Sequence, residues 1–217
     1  MPVGNITGWD QVFADDFATF DTTKWWTWGG QPGGDPSAWW DASHVTVFDS
    51  VLTLSTSQGP FGNTGKTGWV SGGVGCQFSQ TYGKYEVCMR ADTAPGVSVI
   101  CLLWPVANVW PPEVDFYEDD GTRSAFSATL HYTPGNQQVQ EHCSAYDLSK
   151  WHVVGVEWTA DRLVYTVDGV VWQTLNNVNV PSIPMRLDMQ AQYLGQGSPP
   201  TISGFDIDWV VQYKPAP

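Results

Sequence analysis

The chain has 217 residues, room for one large all-β domain or two small ones, and its 22 acidic against 9 basic side chains give a formal charge of −13. That charge repels phosphate backbones and anionic lipid, which excludes nucleic acid as a partner, and no run of about 18 apolar residues exists to cross a membrane as a helix. Only 14% of residues are charged while 13 are Trp, a side chain whose flat apolar face and polar edge suit the C–H faces of sugar rings as well as a core.

From the start of the chain, Met1 to Asn5 lacks the basic and apolar segments of a secretory leader. The acidic balance still suggests work outside the cell or at a cell wall, either with a leader already removed or with export by another route, such as a virion or host lysis. Segments rich in aromatic and β-branched residues then recur between turn signals, at 45–48, 51–55, 74–78, 84–90, 97–104, 114–118, 127–131, 151–159, 162–167, 170–174, 185–192 and 205–211. Val45 and Val47, then Leu52 and Leu54, bracket a turn at Phe48-Asp49-Ser50, and Asp168-Gly169 joins two further alternating segments as a hairpin. No stretch holds apolar side chains at helical spacing, so the expected fold is all-β: two packed antiparallel sheets, one curved to leave a concave face for a chain-like ligand. No repeat, charge block or linker divides the chain, and residues 1–217 read as one domain and a monomer.

Cys76, Cys88, Cys101 and Cys143 lack metal-ligand spacing. Hairpin pairing about a turn near Tyr82 sets Cys76 opposite Cys88, and a turn near Ala94-Pro95 sets Cys101 opposite Cys88 on the other side. Free buried thiols are the alternative, because disulfide geometry is demanding. The acidic surplus leaves room for a structural calcium ion; otherwise no cofactor is expected.

The most informative stretch is Glu113-Val114-Asp115-Phe116-Tyr117-Glu118-Asp119-Asp120, where acids lie among strand formers. Acids are poor strand formers, so their presence points to function; a charged, aggregation-resistant edge strand is the alternative. In a regular strand Glu113, Asp115 and Tyr117 face one way and Glu118 the other. A β-bulge between Asp115 and Glu118 returns Glu118 to the face of Glu113 and Asp115, with about four strand rises, on the order of 13 Å, between the two glutamate backbones.

The string Glu113-x-Asp115-x-x-Glu118 resembles the bulged catalytic motif of glycoside hydrolase family 16, the group that contains laminarinases, lichenases, agarases and carrageenases. The likeness extends along the chain: Phe13-Ala14-Asp15-Asp16-Phe17 with Lys24-Trp25 looks like that family's early strand, and Tyr82-Gly83-Lys84-Tyr85-Glu86 like a later one. Leu102-Leu103-Trp104-Pro105 and Trp110-Pro111 precede the motif as in actinobacterial members. Thr129-Leu130-His131-Tyr132, Val156-Glu157-Trp158, Val167-Asp168-Gly169, Pro184-Met185 and Phe205-Asp206-Ile207-Asp208-Trp209 follow in family order. Pro112 departs from the family, which commonly has Gly before the first Glu.

The resemblance implies a concanavalin A-like jelly roll and retaining endo-hydrolysis of a β-linked polysaccharide, of β-1,3-glucan or galactan type. Glu113 would be the nucleophile and Glu118 the acid/base, with Asp115 between them sharing a proton that keeps Glu118 protonated and Glu113 ionised. From its place on the next strand, 13 residues after the motif, His131 reads either as a hydrogen-bond partner of the site or as a satisfied surface or core histidine. Trp104 and Trp110 would be sugar platforms, with Trp25, Trp26, Trp28, Trp39 and Trp40 at outer subsites, and Gln190 and Gln192 would line the cleft. A sugar-binding module without catalysis, or a transglycosylase, are the rival readings.

Overall fold

Strands form where turn residues punctuate apolar alternation. The computed structural model describes residues 1–33 and 35–217. The chain opens with β1 (Trp9–Asp15), β2 (Trp25–Thr27) and β3 (Ala38–Trp40), followed by a 3-10 turn at Ala42–His44. Next come β4 (Val45–Phe48), β5 (Val51–Pro60), β6 (Thr67–Ser71), β7 (Gly73–Gln80), β8 (Gly83–Ala91) and β9 (Val97–Pro105). The centre holds β10 (Glu113–Asp119), β11 (Phe126–Tyr132) and β12 (Gln137–Cys143). The last third supplies β13 (His152–Trp158), β14 (Arg162–Val167), β15 (Val170–Asn176), β16 (Met185–Tyr193) and β17 (Ile202–Pro215).

Both expected hairpins form. Phe48 pairs with Val51 around Asp49 and Ser50, at φ 51° and 58°, and Val167 pairs with Val170 around Asp168 and Gly169, at φ 51° and 74°. Two consecutive positive φ values give the turn whose twist matches that of the strands it joins.

The strands make a jelly-roll sandwich. A ten-stranded sheet runs β15-β14-β13-β8-β17-β5-β6-β3, with β1 added on β17 and β4 on β5, and a seven-stranded sheet runs β12-β11-β10-β9-β16-β7-β2. Pairing is antiparallel except between β3 and β6, which run parallel. The core lies between the layers. On β9, Val97, Val99, Cys101 and Leu103 enter it, while Ile100, Leu102 and Trp104 face the open side of the seven-stranded sheet. Burying each such aliphatic side chain contributes roughly 1.5–3 kcal/mol, which fixes the phase of the strand and hence of the residues between.

The cysteine pairings expected from hairpin counting do not form. β7 pairs with β2 and β16, whereas β8 pairs with β13 and β17 in the other sheet, and β9 lies back beside β10 and β16. Cys76 and Cys101 therefore belong to one sheet and Cys88 to the other. Counting along the chain assumed that consecutive strands are neighbours; here the connections at Tyr82 and Ala94-Pro95 cross between layers. All four cysteines are free and buried.

Candidate active site

β10 carries the acids, and its register explains their common direction. Across β11, Glu113 faces His131 and Asp115 faces Thr129, but the next pair is Glu118 with Ser127, so Phe116 and Tyr117 together oppose Ala128 alone. Across β9 the slip falls between Asp115 and Tyr117, which identifies Phe116 as the extra residue. This is the bulge that side-chain parity required. Phe116 and Tyr117 both enter the core, at 1% and 0% exposure, and Glu118 returns to the open side. Glu113, Asp115, Glu118 and His131 line one pocket there.

The acids are tied into a short network. Trp110 Nε1 donates to Glu113 Oε2 at 2.6 Å. His131 Nε2 lies 3.1 Å from Asp115 Oδ2, and its Nδ1 lies 2.8 Å from Asn136 Oδ1. Both ring nitrogens face oxygen acceptors, which suits the imidazolium with two N–H donors. Burial pulls His131 down, but the hydrogen bond and charge of Asp115 outweigh it and hold the ring up to about 9. Burial, then the charge of Asp115, pushes Glu113 up to about 8, against the Trp110 hydrogen bond and the His131 charge. Burial likewise lifts Asp115 to about 6, opposed by His131, and burial followed by the charge of Glu113 raises Glu118. Close buried carboxyls cannot all be charged cheaply, so Glu113 and Asp115 hold protons above the ordinary carboxylate range and Glu118 is shifted in the same direction.

Two unlike spaces meet at these acids. One, of about 1230 Å³, is walled by Trp26, Trp28, Trp40, Trp104 and Trp110 and includes Arg186 and Asp188. The other, of about 330 Å³, is lined by Gln138, Gln140, Thr129, His131 and Glu118 and has no Trp, Tyr or Phe in its wall. Glu113, Gln190 and Gln192 line both, so the spaces form one groove with Glu113 at the junction. Gln190 Nε2 donates to Gln192 Oε1 at 3.3 Å, and Gln192 Nε2 to Asp35 Oδ2 at 3.0 Å.

Glycines make the floor under two of the rings. A Cβ on Gly75 would lie 2.3 Å from Trp26 Cζ2, and one on Gly73 would lie 2.7 Å from Trp28 Cε3, so each ring rests on bare β7 backbone. Trp28 packs edge-on to Trp40, with ring centroids 4.8 Å apart.

Two expected platforms are not in the groove. Trp25 is fully buried, packed between Phe13 and Phe17 with Nε1 donating to Asp15 Oδ2 at 2.8 Å. Trp39 stacks on Phe61 at 5.6 Å and 10°, while its neighbour Trp40 lines the groove. Strand alternation decides both cases: in Trp25-Trp26 and Trp39-Trp40 only the second ring reaches the open side. Sequence reasoning missed Arg186, Asp188, Asn108, Gln138 and Gln140. Asp188 gave the same signal as the motif, an acid within an apolar strand, and Gly73-x-Gly75 gave the alternation of a one-sided floor.

Among the described residues, Glu113, Asp115 and His131 form the acid and histidine group whose ligand atoms come within 4.8 Å of one another. Two of those atoms already share a hydrogen bond. The arrangement is suited to exchanging protons between carboxyls at the wall of the groove.

Residues 34–211 match the model of the glycosyl hydrolases family 16. The chain is 28% identical to endo-1,3-1,4-β-glycanase EglC of Rhizobium meliloti (strain 1021), over 88% of this chain and 48% of that relative. It thus spans about half the length of the curated relatives it matches. The laminarinase catalytic domain of Thermotoga maritima MSB8 superposes with TM-score 0.83 at 21% identity, covering 96% of this chain and 99% of that one. The endo-β-1,3-glucanase of Pyrococcus furiosus gives 0.85 at 17%, with 96% and 95% covered. At these identities the likeness to solved structures is one of fold.

Proposed function

The chain belongs to glycosyl hydrolase family 16, and from that premise we propose that it is an endo-acting glycosidase that cuts a 1,3- or mixed 1,3-1,4-linked β-glucan by double displacement. The observation that carries this reading is the bulge at Phe116, which stands Glu113 and Glu118 on one side of β10 where the ring-lined and amide-lined parts of the groove meet. An endo mode requires that the groove accept the middle of a polymer, which the two adjoining spaces on either side of Glu113 provide room for. Glucan is favoured over galactan because two curated relatives are endo-1,3-1,4-β-glycanases and several similar structures are laminarinases or β-1,3-glucanases. Such polymers lie outside the cell or in its wall, and the same reading puts the chain there.

The side chains divide the work by position. Glu113 lines both parts of the groove and attacks the anomeric carbon of the sugar held by the rings; Glu118 lines only the amide part and protonates the departing oxygen as the glycosidic C–O bond breaks. Glu118 then takes a proton from water, which displaces Glu113 from the anomeric carbon and restores both groups. The reaction uses no group beyond the chain's carboxyls and water. Glu113 must be ionised to attack. The Trp110 N–H and the His131 charge favour that form, and positive charge growing on the sugar ring favours it further as the transition state is approached.

Reducing ends released from mixed-linkage glucan and from laminarin test the proposal. The parent chain releases them, and Glu113→Gln and Glu118→Gln each lose several orders of magnitude, about 10³ or more. Tight binding of every polymer with no new reducing ends would instead identify a carbohydrate-binding module.

A further inference from the structure

Resting on the glucanase reading, we propose that Arg186 is the positioning residue of the ring-lined part of the groove, holding Trp26 by its face and Trp104 by its edge so that both present fixed walls to the sugars of the glycone.

The contacts converge on one guanidinium. Its carbon stands 5.0 Å over the Trp26 ring. Nη2 donates to Asn108 Oδ1 at 2.9 Å, and that same oxygen accepts from Trp104 Nε1 at 3.2 Å. Nη1 donates to the carbonyl of Pro105 at 3.3 Å and Nε to Asp188 Oδ1 at 3.1 Å. Register brings these groups together: Arg186 faces Trp104 across β16 and β9, while Gly75 faces both Trp26 and Asp188. With no side chain on Gly75, the Trp26 ring crosses β7 to meet the guanidinium.

The cluster lies on the open side of the sheet rather than in the core. Arg186 and Asp188 side chains are only 12% and 2% exposed, and a buried ion pair is a poor source of stability compared with apolar packing of the same volume. A planar fork instead supplies direction: one flat face for stacking and N–H groups at fixed angles. Rings held before the sugar arrives do not have to be ordered by it, which strengthens binding without touching the reacting atoms.

The test is steady-state hydrolysis of a mixed-linkage glucan hexasaccharide, with binding read by tryptophan emission in a Glu113→Gln background. Arg186→Met is expected to raise KM on the order of tenfold with kcat within about threefold, and Arg186→Lys, lacking the planar fork, to rescue little of it. Combined with Trp26→Ala, the loss is smaller than the product of the two single losses, as required if Arg186 acts through that ring. Asn108→Ala removes the oxygen that joins Arg186 Nη2 to Trp104 Nε1, leaves the Trp26 stack in place and raises KM by a smaller factor. An unchanged KM in Arg186→Met or in Asn108→Ala, full rescue by Lys, or losses that simply multiply would overturn the proposal. A parent that binds but does not hydrolyse overturns the glucanase reading alone, because the emission titration still ranks the variants; a parent that does neither overturns both.

Discussion

Phe116 and Tyr117 are consecutive residues of one strand, and both side chains are buried in the core between the sheets. Alternation forbids this in a regular strand, so one of the two is extra, and the extra residue decides where Glu118 points.

Deleting Phe116 leaves Glu-x-Asp-x-Glu, which alternates regularly and keeps both glutamates on the groove side. The variant is expected to lose roughly 3–5 kcal/mol, as for removal of a buried Phe, yet to hydrolyse glucan measurably faster than Glu118→Gln when assayed in the cold. Activity no higher than that of Glu118→Gln in a folded deletion variant would show that parity is not what orients the acid.

The charge of His131 opposes the forces that lift Glu113 and Asp115. Replacing it by Gln removes that charge, so both carboxyls hold their protons to higher pH. Attack needs an ionised carboxylate, and kcat/KM falls as pH drops through the pKa of that group in the free enzyme. The acid limb of the pH profile therefore moves upward in His131→Gln; a limb that stays or moves downward contradicts the network.

Glu113 also makes stability depend on pH. Its folded pKa, about 8, lies above the ordinary 4.5, so folding loses stability as pH rises from the lower value through the higher. Glu113→Gln removes the titration and keeps an oxygen for the Trp110 N–H. Its Tm is expected to exceed the parent's at pH 8.5 by more than at pH 4.5. A gain that is equal at both pH values, or larger in acid, would mean that Glu113 is not held neutral by its surroundings.

Much of the site was legible because strands impose a strict rule. Glu118 lies five positions after Glu113, an odd offset, and two acids meant for one face then demand a bulge between them. The rule also separates Trp26 from Trp25 and Trp40 from Trp39, but only once the phase of β2 and β3 is known. Those strands have three residues each, too few to show alternation. The cysteine pairings failed for a different reason: nothing in Tyr82-Gly83 distinguishes a turn within a sheet from a crossing between sheets. β12 escaped notice because Gln137-Gln138-Val139-Gln140-Glu141-His142 is polar on both sides, as a strand at a sheet edge facing water and substrate can be. The Arg186 cluster was hidden because it assembles from β2, β9, β16 and the loop after β9, pieces that only the sheet order brings together.

The most direct measurement is to trap the intermediate. Incubation with an activated 2-deoxy-2-fluoro β-glucan oligosaccharide slows the second displacement more than departure of the activated group, so the glycosyl ester accumulates and peptide mass spectrometry locates it. The account predicts one added glycosyl group, on Glu113, absent in Glu113→Gln. A group attached to Glu118 or elsewhere, or turnover of a natural glucan to the α-anomer as first product, would contradict it.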